Sequence, residues 1–116
     1  MALLRVGPLP GEALAASARF HAEHLPAVLA ALADQGEGEA LTLVFAPADH
    51  SHRGWRLSVV QGLAREHAPR RVNALASDND AAIAAAARYL AAAEGVTGQY
   101  LVLDAVGAGE VVLANP

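Results

Sequence analysis

Four consecutive residues, Asp49-His50-Ser51-His52, set a carboxylate and two imidazoles side by side in a chain of 116 residues. Asp49, His50 and His52 offer the oxygen and nitrogen donors that zinc and similar ions take. The run follows an apolar segment, Leu41-Thr42-Leu43-Val44-Phe45. A loop at the C-terminal end of a parallel strand is where open α/β sheets hold ligands. The same residues also read as a polar helix entry, capped by Asp49 or Ser51, with both histidines solvated. No fourth ligand is evident and His-x-His is a weak signal, so the expectation is no metal and no other cofactor.

His21 and His24 lie three apart, close enough on one helical face to share a metal or to pack between helices. Packing is the reading taken. Trp55 is the only tryptophan and falls one turn into the next helical run. It is expected to anchor a core or an interface rather than stack on a substrate.

The elements that must position these residues alternate in type. Leu3–Val6 is a short strand candidate, closed by Gly7-Pro8-Leu9-Pro10. From Glu12 to Asp34 the residues Leu14, Ala18, Phe20, His21, Leu25, Val28, Leu29 and Leu32 recur at helical spacing, with Pro26 expected to kink the run. Leu41–Phe45 is a second strand. A helix follows from Ser51 to His67, with Trp55, Val59, Leu63 and Gly62 facing inward. Arg71–Leu75 is a third strand. The next helix is capped by Ser77 or Asp78 and stopped by Gly95. Tyr100–Leu103 is a fourth strand, and Glu110–Leu113 a candidate fifth. Strands separated by helices of this length imply parallel βαβ units with right-handed crossovers. The expected fold is a single α/β domain over residues 1–116, with four parallel strands ordered as the chain runs and three connecting helices.

Composition bounds the function. The chain is 54% hydrophobic and 17% charged, enough for a real core, but only 4% aromatic, so that core must rely on Ala, Val and Leu. A net charge of −4 argues against the clustered basic surface of a nucleic-acid binder. The adjacent Arg70 and Arg71 follow a helix end, where cations suit the dipole. With no cysteine there is no thiolate site or disulfide. No apolar run is long enough to span a bilayer, so no membrane role and a cytoplasmic location are expected.

Three blocks recur in a familiar order: Leu63-Ala64-Arg65-Glu66-His67-Ala68-Pro69, Arg71-Val72-Asn73-Ala74-Leu75-Ala76, and Val96-Thr97-Gly98-Gln99-Tyr100-Leu101-Val102-Leu103-Asp104. Together they resemble the C-terminal half of the short-chain dehydrogenase/reductase (SDR) family. Ala22-Glu23-His24-Leu25-Pro26 looks like the helix before that family's catalytic-serine strand. The resemblance implies a Rossmann-like half domain, with Asn73 as a structural residue. It also implies where chemistry has gone. The family's Tyr-x-x-x-Lys falls on Asp49 and Arg53, and only Ala46 to Ala48 separate the strand from Asp49, leaving no room for the serine loop. The helix-entry asparagine aligns with Ala13, and the Pro-Gly that lies against nicotinamide reads Ser77-Asp78. No Gly-rich cofactor turn is present. Gly107-Ala108-Gly109 is read as a turn.

The expected function is therefore a non-catalytic SDR-like scaffold or interaction module. The alternatives are a small-molecule or metal-dependent enzyme using the Asp49–His52 loop, and a residual nucleotide binder. Full-length relatives pair the helices matching Glu12–Asp34 and Ser51–His67 in a two-fold, four-helix interface. That implies a homodimer or larger homo-oligomer here, or else a heteromeric partner, with Ala18, Ala22, Trp55, Ser58 and Gly62 in the seam.

Overall fold

The computed structural model describes residues 1–36 and 38–103; the candidate fifth strand at Glu110–Leu113 and the Gly107-Ala108-Gly109 turn lie outside them. Among the described residues four strands form one sheet: β1 (Ala2–Arg5), β2 (Leu41–Phe45), β3 (Val72–Ala76) and β4 (Tyr100–Val102). They lie in the order β1-β2-β3-β4 and every neighbouring pair is parallel. The strand runs read from the sequence are thus correct to within a residue, and the pairing continues through Val6 N–H to the Val44 carbonyl and Leu103 N–H to the Ala76 carbonyl.

Three helical stretches connect the strands. The first comprises α1 (Ala13–Arg19), a π-helical turn (Phe20–His24) and α2 (Leu25–Asp34). Pro26 accounts for the interruption: it has no N–H for the preceding turn and its ring crowds the carbonyl four residues back. The chain answers with the wider turn, in which Leu25 N–H reaches the Phe20 carbonyl. The expected kink is therefore a π turn, which leaves Pro26 in the first turn of α2, where a missing N–H is tolerated. The other two stretches are α3 (Arg53–Glu66) and α4 (Asp80–Ala92).

β2 and β3 are buried along their whole length, as inner parallel strands covered on both faces must be. Leu41, Leu43, Phe45, Val72, Ala74, Ala76 and Tyr100 pack with Phe20, Val28, Leu32, Val59, Val60 and Leu63 from α1–α3. On the other face, Val44 and Leu75 meet Ile83, Ala86 and Leu90 of α4. The paucity of aromatics hides their distribution. Phe20, Phe45, Trp55 and Tyr100 sit together, with ring centroids 5.5–6.4 Å apart along the chain of contacts.

Two expected caps are corrected. Asn79, not Ser77 or Asp78, is the N-cap of α4: its side-chain oxygen accepts from Ala82 N–H at 2.9 Å, while Ser77 Oγ accepts from Asn79 N–H at 3.0 Å. α4 ends at Ala92, two residues before the turn that holds Gly95, and Gly95 does not adopt a left-handed conformation. The glycine that conformation requires is Gly98, at φ 73°, where the chain swings into β4.

Arg70 and Arg71 do suit helix dipoles, but not that of the helix they follow. Arg70 is buried and donates to the Leu32, Gln35 and Gly36 carbonyls at the end of α2, at 2.6, 3.2 and 2.8 Å. Arg71 donates to the Leu90 and Ala93 carbonyls at the end of α4, at 2.8 and 2.9 Å. Successive side chains in extended backbone point to opposite faces, so two neighbours reach helices on opposite sides of the sheet.

Candidate functional site

The candidate site lies beyond the C-terminal ends of β1 and β2. β2 stops at Phe45, and Ala46–Asp49 carry the chain to a single 3-10 turn (His50–His52) that runs into α3. Asp49 caps that turn. Its carboxylate accepts from Ser51 N–H at 2.9 Å and, over a shorter distance, from Ser51 Oγ. These hydrogen bonds, aided by His52 and His50 nearby, hold its carboxyl below the ordinary carboxylate range. His50 is exposed, whereas His52 is buried. Its Nε2 lies 2.9 Å from the Gly11 carbonyl and its Nδ1 accepts from the Trp55 indole N–H at 3.2 Å. Since a carbonyl only accepts, the proton sits on Nε2 and both ring nitrogens are engaged.

Asp49, His50 and His52 are adjacent in the chain but do not converge. Among the described residues no group of three such side chains could hold a metal ion. His21 and His24 do not converge either: His21 Nδ1 lies 2.7 Å from the Ser17 carbonyl and His24 stacks on Phe20. Arg53 is exposed, and neither a hydrogen bond nor an ion pair joins it to Asp49. Asn73 is buried in β3, donating to the Val96 carbonyl and accepting from Gln99 N–H, each at 3.0 Å, which ties the α4–β4 loop to the sheet.

Sequence reasoning missed Arg56. It is only 3% exposed, its guanidinium lies 4.6 Å over the Phe45 ring, and its Nη1 donates to the Ala46 carbonyl at 2.9 Å and the Tyr100 hydroxyl at 3.0 Å. A signal was present: Arg56 shares the helical face of Val59, Val60, Leu63 and Ala64. Arg56, Asp49 and His52 line a cavity of about 220 Å³ with Val6, Leu9 and Phe45.

A family model described as short chain dehydrogenase-like protein (SDR-like) matches residues 4–103. The chain belongs to the SDR-like family. No curated protein and no solved structure matches it. Asp49, where the resemblance sets the family's tyrosine, is a capping carboxylate, and Arg53, where it sets the lysine, is a solvated guanidinium.

The residues expected at an interface fall in two places. Trp55, Ser58 and Gly62 line a groove between α1–α2 and α3, together with His21, Leu25 and Leu29. Ala18 and Ala22 are exposed but do not line that groove. Among the described residues, no helix is long and apolar enough to cross a membrane.

Proposed function

We propose that this SDR-like chain is non-catalytic and serves as a cytoplasmic oligomeric scaffold or interaction module. The observation that carries the reading is the employment of Asp49. Its carboxylate holds a helix entry and is pulled to lower pKa by the same bonds. An alkoxide at neutral pH needs a donor with a pKa near the working pH, and Asp49 is displaced away from it. Arg53, solvated and unconnected to Asp49, supplies none of the electrostatic help that the family's lysine gives its tyrosine. Calorimetry with NAD and NADP tests this part: no saturable binding is expected at millimolar cofactor, and a micromolar dissociation constant would overturn it.

The assembly is a homodimer across the α1–α2/α3 groove. Leu29 is 43% exposed beside Leu25 and Trp55, and Ser58 and Gly62 leave room for a second helix to approach. Isologous symmetry makes one bulky change act twice. Light scattering should show a dimer for the wild type and a monomer for Ser58→Arg. A wild-type monomer at micromolar concentration removes the homodimer. The alternative, a small-molecule or metal-dependent role for the Asp49–His52 loop, draws support from the cavity that Asp49 and His52 help to line. Stoichiometric zinc lost in a His50→Ala/His52→Ala variant would favour it.

A further inference from the structure

Arg56 is a buried cation without a counter-ion among the described residues. Its Nη1 is saturated by two neutral acceptors, the Ala46 carbonyl and the Tyr100 hydroxyl. Its Nε is buried without a hydrogen-bond partner, and Nη2 likewise has none among the described residues. Guanidinium groups stay charged in proteins, and a buried charge without a partner is costly. Stacking on Phe45 and, at 5.7 Å, on Trp55 offsets part of that cost but uses the face of the group, not its edge. The unoccupied Nε/Nη2 edge is the side of the fork that matches the two oxygens of a carboxylate.

The cavity that Arg56 lines has the character such an occupant needs. Val6, Leu9, Phe45 and Pro47 make most of its wall apolar, and a volume of about 220 Å³ is below the range for drug-sized ligands. Two other titratable groups line it. The Asp49 carboxylate is held by Ser51, and both His52 nitrogens are engaged by Gly11 and Trp55. Arg56 therefore supplies the one uncommitted set of donors among the described titratable residues of the wall, and Asp49 disfavours a second negative charge on the ligand. We propose that this cavity binds a small monocarboxylate, its charge met by the guanidinium donors of Arg56 that Ala46 and Tyr100 leave free and its short apolar tail against Val6 and Leu9. The site goes beyond the scaffold reading and does not depend on it: binding needs neither catalysis nor a second subunit.

The Arg56 Nε–H resonance reads the proposal directly. Full-length ¹⁵N-labelled protein is titrated with sodium propionate, with propionamide as the uncharged isostere and inorganic phosphate as the alternative anion. The Nε–H signal, assigned by its loss in Arg56→Lys, should move downfield and saturate with propionate alone. Affinity should fall at least tenfold in Arg56→Lys. Leu9→Trp, which fills the cavity and leaves Arg56 in place, should retain the resonance and abolish its movement; it serves also if Arg56→Lys does not fold. A signal unmoved by millimolar propionate would overturn the proposal, as would one moved equally by propionamide or phosphate. So would a signal already downfield without ligand and insensitive to it, which would mean that a carboxylate of the chain itself pairs with Arg56.

Discussion

Asp49 contributes its charge as well as its shape to the entry of α3, and pH separates the two. Its pKa is lowered in the folded protein, so its contribution to stability is present above its ordinary value of 3.8 and is lost as pH falls through the lowered one. Asn is as good a cap as Asp, so Asp49→Asn removes the charge and keeps the bond. Urea unfolding should find the variant less stable than wild type at neutral pH, with the gap closing in acid as pH falls through the lowered pKa of Asp49. A gap that persists unchanged in acid would show that the charge contributes nothing. Gly98 is the other residue with a sharp expectation. An added Cβ there would meet Ala64 Cβ at 3.7 Å, an ordinary contact, so space is not the obstacle. The φ of 73° is, and Gly98→Ala should cost about 1–2 kcal/mol in denaturant unfolding. A cap at Asp49 or Ser51 was legible from residue type and position, but not that Asp49 is the one that makes it, with Ser51 as its donor. Arg56 was not, although its spacing placed it among core residues, because a charge on an apolar face contradicts the pattern that defines the face.

At the scale of elements, the helix ends are held from a distance. Arg70 makes three hydrogen bonds to the carbonyls that close α2, and Arg71 makes two good ones to those that close α4. Charge-assisted bonds of this kind are worth about 1.5–3 kcal/mol net. Arg71→Ala should therefore lower stability by about 1–3 kcal/mol, and Arg70→Ala by at least as much, because burial leaves the Leu32 carbonyl with no water to replace the guanidinium. Urea midpoints measure both, with Arg71→Lys recovering part of the loss. The sequence showed the right chemistry and the wrong address: two cations near a helix end were visible, but only the fold reveals which helix ends they reach. Asn79 was overlooked for a related reason. Ser77, Asp78 and Asn79 are all good caps, and the choice depends on where α4 must begin to set Ile83 and Leu90 on the sheet. Pro26 announced a disruption, but the π turn follows from the need to keep Phe20 and Val28 buried on both sides of it.

For the whole molecule, strand order was the most legible property. Apolar runs of about five residues separated by helical stretches leave few topologies once crossovers must be right-handed. The division of labour between the faces was less so: among the described residues, α1–α3 cover one side with the aromatic cluster, while α4 covers the other. Periodicity gives each helix an apolar stripe without saying which face of the sheet it meets. The α1–α2/α3 groove has the apolar edge that an assembly would use. Substitution there should separate association from folding: Gly62→Arg, at a position where an added Cβ meets nothing within 4 Å, should abolish the proposed dimer and leave the urea midpoint of the monomer unchanged. Loss of fold in that variant would place Gly62 in the core's support rather than at a seam.

The step from Arg70 to Arg71 also bears on how the protein comes apart. These adjacent residues fasten α2 on one face and α4 on the other to the same point of β3, so neither layer can peel away without releasing a guanidinium from its carbonyls. The two cores are therefore expected to open as one cooperative unit. Native-state hydrogen exchange should show α2 and α4 amides opening with the same free energy and the same urea dependence. In Arg71→Ala the α4 amides should exchange through a smaller, local opening while those of α2 keep their protection: one side chain decides whether the domain unfolds in one step or in two.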